Sequence, residues 1–337
     1  MPFDVKISLQ KLLTALVVVI VPLTIVGLYL TSYSDNRLQQ TTGANFKTIA
    51  QADSVLVSQF INDRVADVNS IAAETSIVDA ITTSNRPHAQ RSEGSVAAYI
   101  QKIEQDWDTA GSDAQTTKLL SSPASRWLQQ QRTANLGLLK VVVADETGAT
   151  VGATDKPLHY AQAMNEYWPA VARGQGAVNV TDARYDERTR STYIEIDTPV
   201  LERETGKFIG AVSALVDTTR IFSILDQQQV GRSGRVLLLR DDGTVISAAN
   251  VSPELRLKAE EFPAVQDALA TLEGRQTGYV VAATKSGNRI VGFADTGLKH
   301  SYPKLSWLIL ASQDEAEALA SVRTLGRFAL VMVVLGC

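Results

Sequence analysis

Cysteine is almost missing from this chain: among 337 residues the sole example is Cys337. That excludes a disulfide framework within the chain and a cysteine-based metal cluster. Histidine is nearly as scarce, and His88, His159 and His300 lie far apart with no ligand spacing, so no metal site is expected. Excess positive charge is missing too. A formal net charge of -4 supplies no basic field, and no nucleic-acid partner is expected. The GxSxG, HExxH, P-loop and Rossmann glycine patterns are all lacking, so no catalytic residues and no cofactor are assigned. Finally, residues 12–30 hold no charged side chain at all.

That last gap organises the rest. The run 12–31 is interrupted only by residues such as Thr14, Pro22, Thr24 and Gly27. About 20 apolar residues in helix cross a ~30 Å hydrocarbon core. The run exceeds a signal-peptide core and no A-x-A site follows it, so an uncleaved anchor in a lipid bilayer is expected. Lys6 and Lys11 precede it, which favours a cytoplasmic N-terminus. The chain closes on FALVMVVLGC after Arg327. This run is too short to span, and reads as a second transmembrane helix cut short. Residues from about 32 to 326 would then lie outside the cytosol.

Hydrophobic content of 45% and charged content of 20% indicate globular material between the two runs. Residues 33–83 contain no proline, and Ile49, Ala52, Leu56, Phe60, Val65, Val68, Ile71 and Val78 recur in steps of mostly three and four. The spacing predicts one long helix with a buried face. Two such helices packed in parallel would make a homodimer. Asn85 to Pro87 ends the pattern, and shorter helices are predicted over 94–107 and 123–133, with a polar loop at 109–117.

Strand texture follows. Residues 138–145, a turn at 146–148 and residues 149–153 read as a hairpin; 159–173 reads as helix; 177–181, 192–201 and 207–217 read as strands. Short connections predict an antiparallel sheet of about five strands. The same order recurs about a hundred residues later. RVLLLR at 235–240, a turn at 241–243, a strand at 244–248, a helical insertion over 254–272 and strands at 274–281, 289–294 and 307–312 make a second copy. Residues 315–327 read as a helix running into the closing apolar segment. The fold class is α+β, with one small module used twice.

Along 192–201 side chains alternate. Tyr193, Glu195 and Asp197 share one face, and Ile194 and Ile196 the other, where the long helix can cover them. Two carboxylates beside an aromatic suit a cationic ligand group; a solvated outer face of a sheet has the same pattern. If 159–173 is helical, Tyr160 and Tyr167 share a face and Trp168 falls about 100° round. That places Trp168 at a cavity, with Tyr185 and Asp186 from the following hairpin. The ligand-lining set is thus Trp168, Tyr185, Asp186, Tyr193, Glu195 and Asp197. Arg184 and Arg188 either bind a ligand carboxylate or pair with Asp182 and Glu187. Asp217 reads as a strand-end or helix-cap residue.

Several segments carry a family resemblance. They are Glu166-Tyr167-Trp168-Pro169-Ala170 before Gly174-Gln175-Gly176-Ala177-Val178, Thr181 to Asp186 with Ile196 to Val200, and Phe208-Ile209-Gly210-Ala211-Val212. Gly231-Arg232-Ser233-Gly234 and Leu305-Ser306-Trp307 fit as well. Together they resemble a bacterial double-Cache sensor region. The resemblance implies a long N-terminal helix with two tandem PAS-like (Cache) modules, flanked by transmembrane helices in the inner membrane. It divides the chain into a cytoplasmic tail 1–11, a first span 12–31, a signalling helix 32–84, a membrane-distal module 85–225, a membrane-proximal module 226–314, and a return helix with a truncated second span 315–337. It implies a small-molecule ligand, of a class the residues do not specify, in the distal module. The output would be of chemoreceptor, histidine-kinase or cyclic-dinucleotide type, beyond Cys337. Amino-acid-binding members carry an arginine where this chain has Asn165 and an aspartate where it has Leu215, which argues against an ordinary α-amino acid. A sensor for a periplasmic partner protein is the second reading, and a membrane-anchored extracytoplasmic hydrolase the third.

Overall fold

A computed structural model describes residues 9–320 apart from 108, 110–112, 136, 175, 229–230, 250, 252 and 272–275, with few side chains described among residues 9–36. Helix α1 is a single 64-residue helix, Leu9–Ala72, ~96 Å long at 1.5 Å per residue. Its stripe Phe46, Ala50, Val57, Ile61, Val65, Val68 and Ile71 is buried, in steps that fit one helical face. Of the expected face Val65, Val68 and Ile71 belong to it, whereas Ile49, Phe60 and Val78 are half-buried and Ala52 and Leu56 exposed, because in the first half the stripe runs through the residues next to them. Among the described residues no helix is long and apolar enough to cross a membrane. The run 12–31 is helical in backbone, but most of its side chains lie outside the described set. The second span, 328–337, lies outside the described residues altogether, as does the return helix beyond α9, Glu315–Ala318.

The expected uninterrupted helix to residue 83 is instead broken after Ala72. Glu74 is extended at φ -66, ψ 135, and α2 restarts at Thr75 and runs to His88. Neither glycine nor proline marks the break. Arg203 donates to the Ala73 carbonyl at 3.2 Å, and the restart keeps Ile77 and Ile81 buried on the sheet. Pro87 lies inside the last turn of α2 and does not end it early. There Asn85 holds the helix end by donating to the Ile209 carbonyl and accepting from Glu146 N–H. Helices α3 (Glu93–Trp107), α4 (Asp113–Leu120) and α5 (Pro123–Ala134) follow. The segment read as a polar loop thus holds a helix, α4, which has no fully buried side chain and so leaves no apolar periodicity to detect.

The first sheet comprises β1 (Leu138–Asp145), β2 (Thr150–Ala153), β3 (Asn179–Val180), β4 (Arg184–Asp186), β5 (Ser191–Leu201) and β6 (Phe208–Asp217). Its order is β2-β1-β6-β5-β3, with β4 also on β5. It therefore has six strands where about five were expected, because the short β4 folds back on the start of β5. Between β2 and β3 the predicted helix 159–173 is mostly something else: a 3-10 turn at Gln162–Met164, then α6 at Trp168–Arg173. Asn165 is extended, and Pro169 starts α6 in its first turn, a position proline favours.

Helix α7 (Thr219–Asp226) joins the modules, and Asp217 Oδ1 accepts from Thr219 N–H at 2.8 Å at its start. The second sheet comprises β7 (Arg235–Arg240), β8 (Val245–Ala248), β9 (Thr277–Thr284), β10 (Gly287–Asp295) and β11 (Trp307–Asp314), in the order β8-β7-β11-β10-β9. This is the first sheet's connectivity again, as the internal repeat predicts. The insertion 254–272 is helical only over a 3-10 turn, Pro253–Leu255, and α8, Phe262–Thr271. Both sheets turn one face to α1. At Gly292 the approach is backbone to backbone: an added Cβ would lie 2.1 Å from the Phe46 carbonyl carbon.

Asp182, between β3 and β4, ties the modules together. Its carboxylate accepts from Trp307 Nε1 at 2.8 Å and from Arg240 Nε, while Arg240 also donates to the Ala183 carbonyl. Phe222 of α7 meets Trp307 edge-on, with centroids 6.0 Å apart.

Candidate functional site

Three strands lay the site out in two rungs. Lys140 on β1 pairs with Leu215 on β6, which pairs with Glu195 on β5. One rung along, Val142 pairs with Ser213, Ser213 with Asp197, and Asp197 with Asn179 on β3. Their neighbours Val141, Ala214, Ile194 and Ile196 are packed in the core that includes α1. Alternation therefore turns the rungs to the opposite face. With strands ~4.8 Å apart, the Cα atoms of Lys140 and Glu195 stand roughly 10 Å apart.

A cleft of about 340 Å³ opens over this face, within the ~300–1,000 Å³ range of small-molecule sites. Lys140, Tyr193, Glu195, Ser213 and Leu215 line one side; His159, Gln162, Asn165 and Tyr167 line the other. The second wall is held by a side-chain network that stands in for helix hydrogen bonds. Gln162 Oε1 accepts from Asn165 at 2.8 Å and from the Tyr167 hydroxyl at 3.1 Å, and Gln162 Nε2 donates to the His159 carbonyl. Glu104 of α3 clamps the segment from behind, 2.7 Å from His159 Nδ1 and accepting from Ala161 N–H at 2.8 Å.

The charges are unevenly solvated. Burial lowers the Lys140 pKa, with nearby Asp155 opposing the shift. Ser213 donates to Glu195 Oε1 at 3.1 Å. Asp197 is 0% exposed, accepts from Asn179 Nδ2 at 2.7 Å, and leaves its buried Oδ1 without a partner. Burial, and then the neighbouring Glu195 charge, push its pKa up to about 7. An amine at one end and a carboxylate at the other can hold a small molecule that carries an acidic group and a donor.

The six residues expected at the site fall in different places. Tyr193 and Glu195 line this cleft. Asp197 lies beneath it, on the next rung. Trp168 stacks edge-on against Phe208 at 5.9 Å and is not among the lining residues; its neighbour Tyr167 is. The reason is local: without a helix over 159–173, the seven-residue spacing carries no facial meaning. Tyr185 lines a separate cleft between the modules. Asp186 accepts from Arg188 N–H at 2.9 Å, closing its own turn. Arg184 lies 3.5 Å from Glu166, and Asp182 pairs with Arg240 instead. Lys140 went unread although a lone lysine inside LLKVVVAD, out of phase with Val141 and Val143, is itself a signal of an open face. Among the described residues no group of three or more His, Cys, Asp or Glu side chains is placed to hold a metal ion.

Comparison with known proteins bears on the whole frame. The sensory domain of the Campylobacter jejuni chemoreceptor Tlp3 (CcmL), solved with isoleucine bound, superposes with a TM-score of 0.55 at 10% identity, covering 86% of this chain and 98% of that one. The ligand-binding domain of the Pseudomonas aeruginosa PAO1 amino acid chemoreceptor PctC, in complex with GABA, gives 0.52 at 14% identity, covering 81% and 100%. At such identities the likeness is one of fold. No curated protein matches the chain. The family model dCache_1, described as a Cache domain, matches residues 34–322. The chain therefore belongs to the dCache_1 family of Cache domains.

Proposed function

We propose that this chain is the extracytoplasmic, ligand-sensing input region of a transmembrane signal-transduction receptor, and that a small ligand binds in the first-module cleft. The observation that carries the reading is the rung Lys140–Leu215–Glu195: a half-buried amine and a carboxylate set roughly 10 Å apart on the open face of a sheet. The ligand's acidic group meets Lys140, and its donor meets Glu195 and Tyr193. Asn165 and Leu215 both line the cleft. These are the places where amino-acid-binding Cache domains are expected to carry an arginine and an aspartate, so the ligand is not an ordinary α-amino acid. Asp197 supports the floor without touching the ligand.

Residues 12–31 anchor the region in the inner membrane, and 32–326 face the periplasm or cell exterior. Val55 is 63% and Leu56 38% exposed on α1, an apolar strip on which a second copy of the helix packs. Ligand binding favours one of two packings of α1 against the modules, a displacement on the order of 1–2 Å. Moving such an equilibrium from 1:99 to 99:1 takes about 5.5 kcal/mol of differential affinity.

A thermal-shift screen of the full chain in detergent against a metabolite library tests this. One chemical class is expected to raise the melting temperature, and Lys140→Gln and Glu195→Gln each to weaken that shift. A screen without hits, beside a specific periplasmic protein retained by the immobilised chain, would replace the small ligand by a partner protein.

A further inference from the structure

A second cleft, larger than the one above, opens elsewhere on the molecule. It lies between the modules, has a volume of about 940 Å³, and is walled by Arg184, Tyr185 and Glu187 from the first module and by Arg240, Arg256 and Lys304 from the second, among others. That volume falls at the upper end of the range for small-molecule sites.

Two of its four acids are spoken for. Asp182 holds Arg240 and the Trp307 indole. Asp242 accepts from both the amide and the hydroxyl of Thr244 and lies 3.5 Å from Lys258. Glu254 lies near Tyr185 across the boundary between the modules. Its bases are not. Among the described residues Arg256 and Lys304 form no ion pair; the Lys304 charge acts on buried Asp197 only from beyond salt-bridge distance. Arg184 has only Glu166, 3.5 Å away and 94% exposed. Three cations with little or no compensation therefore face two carboxylates without an ion pair among the described residues, Glu187 and Glu254. Arg256 is also one of two non-glycine residues with positive φ among the described residues, at 44°. Such a backbone is uncommon, and it is worth asking what it positions.

We propose that this inter-module cleft is a second ligand site, for a small molecule bearing two or more oxyanion groups, carboxylate or phosphate. Arg256 and Lys304 would take one group, and Arg184 with the Tyr185 hydroxyl another, so that the bound anion spans both modules. Charge-assisted bonds of this kind are the strong ones, and guanidinium suits planar oxyanions. Arg184 and Tyr193 line both clefts. Occupancy of one site therefore alters the wall of the other, and any such coupling is reciprocal.

Isothermal titration calorimetry on the full chain in detergent, with citrate and with pyrophosphate as separate titrants, tests the proposal. A saturable heat is expected from at least one of them. Citrate alone assigns the site to carboxylates, and pyrophosphate alone to phosphates. The double variant Arg256→Asn, Lys304→Gln should weaken binding by ~tenfold or more; both positions are exposed, and asparagine tolerates positive φ. Lys140→Gln, in the other cleft, should leave the affinity unchanged, which separates this site from the first-module one. No heat from either anion, an affinity unmoved by the double variant, or a loss caused by Lys140→Gln would overturn the proposal.

Discussion

Asp197 offers a direct test of how the first module is built. Its carboxyl is fully buried, bonded to Asn179 through one oxygen and to nothing through the other. Burial and Glu195 raise its pKa to about 7, with Ser213, Asn179 and Lys304 pulling the other way. In the unfolded chain the same group titrates near ~4. The folded state therefore keeps a proton that the unfolded chain releases. Stability from this group is full below pH ~4 and declines as the pH rises to about 7, by up to about 4 kcal/mol. In Asp197→Asn an amide takes the place of the protonated acid, preserves the acceptor for Asn179, and does not titrate. Wild type and variant should match near pH 4. At pH 8 the variant should be the more stable, by about 4 kcal/mol at the full value, or roughly 8–16 °C in melting temperature for a module of this size. Thermal melts of both proteins from pH 4 to pH 8 read this out. A difference that stays constant with pH, or a variant less stable at pH 8, would refute the assignment of a protonated Asp197.

Three other outcomes follow from contacts already described. Gly292→Ala should cost ~3 kcal/mol or more in urea unfolding, because the new methyl meets the α1 backbone at Phe46, which cannot rotate aside; a neutral variant would mean that α1 does not lie this close to β10. Asp182→Ala leaves Trp307 Nε1 and Arg240 without their shared partner and should cost ~1–3 kcal/mol, with a change in Trp307 emission; unchanged emission and stability would remove Asp182 as the tie between modules. Glu317 accepts from the backbone N–H groups of Arg232 and Ser233, and the Ser233 side chain together with these groups holds its pKa down to about 2. Its contribution is present above pH ~4.3 and is lost as the pH falls toward 2. Glu317→Gln should raise hydrogen exchange at 231–234 at neutral pH, and exchange equal to wild type would contradict that contact.

Much of this architecture is legible in the sequence because it rests on strong periodicities. The helical run of α1 with its buried Val65, Val68 and Ile71, the alternation Tyr193 to Asp197 and the repeated hairpin are each dictated by one geometric rule, and each appears in the fold. In the first half of α1 apolar residues on both sides of the stripe hid which face is buried, and Ala52 and Leu56 are exposed. The failures have a common cause as well. The break at Glu74 and the irregular segment 159–167 go with side-chain bonds to distant residues, such as Arg203 to Ala73 and Glu104 to Ala161. Local spacing holds no record of those. The candidate site was half legible for the same reason. Residues on the regular strand β5 were placed on the right face, whereas Trp168, Tyr185 and Asp186 depended on the conformation of irregular segments. Lys140, Gln162 and Tyr167 emerge only when β1 and the 3-10 turn are brought to the same cleft.

The most direct test of the central claim is a crystal structure of the chain with the compound that raises its melting temperature. That compound is expected on the open face of the first sheet, with its acidic group at Lys140 and its donor at Glu195. A compound found elsewhere on the molecule, with the space between Lys140 and Glu195 unchanged, would contradict it.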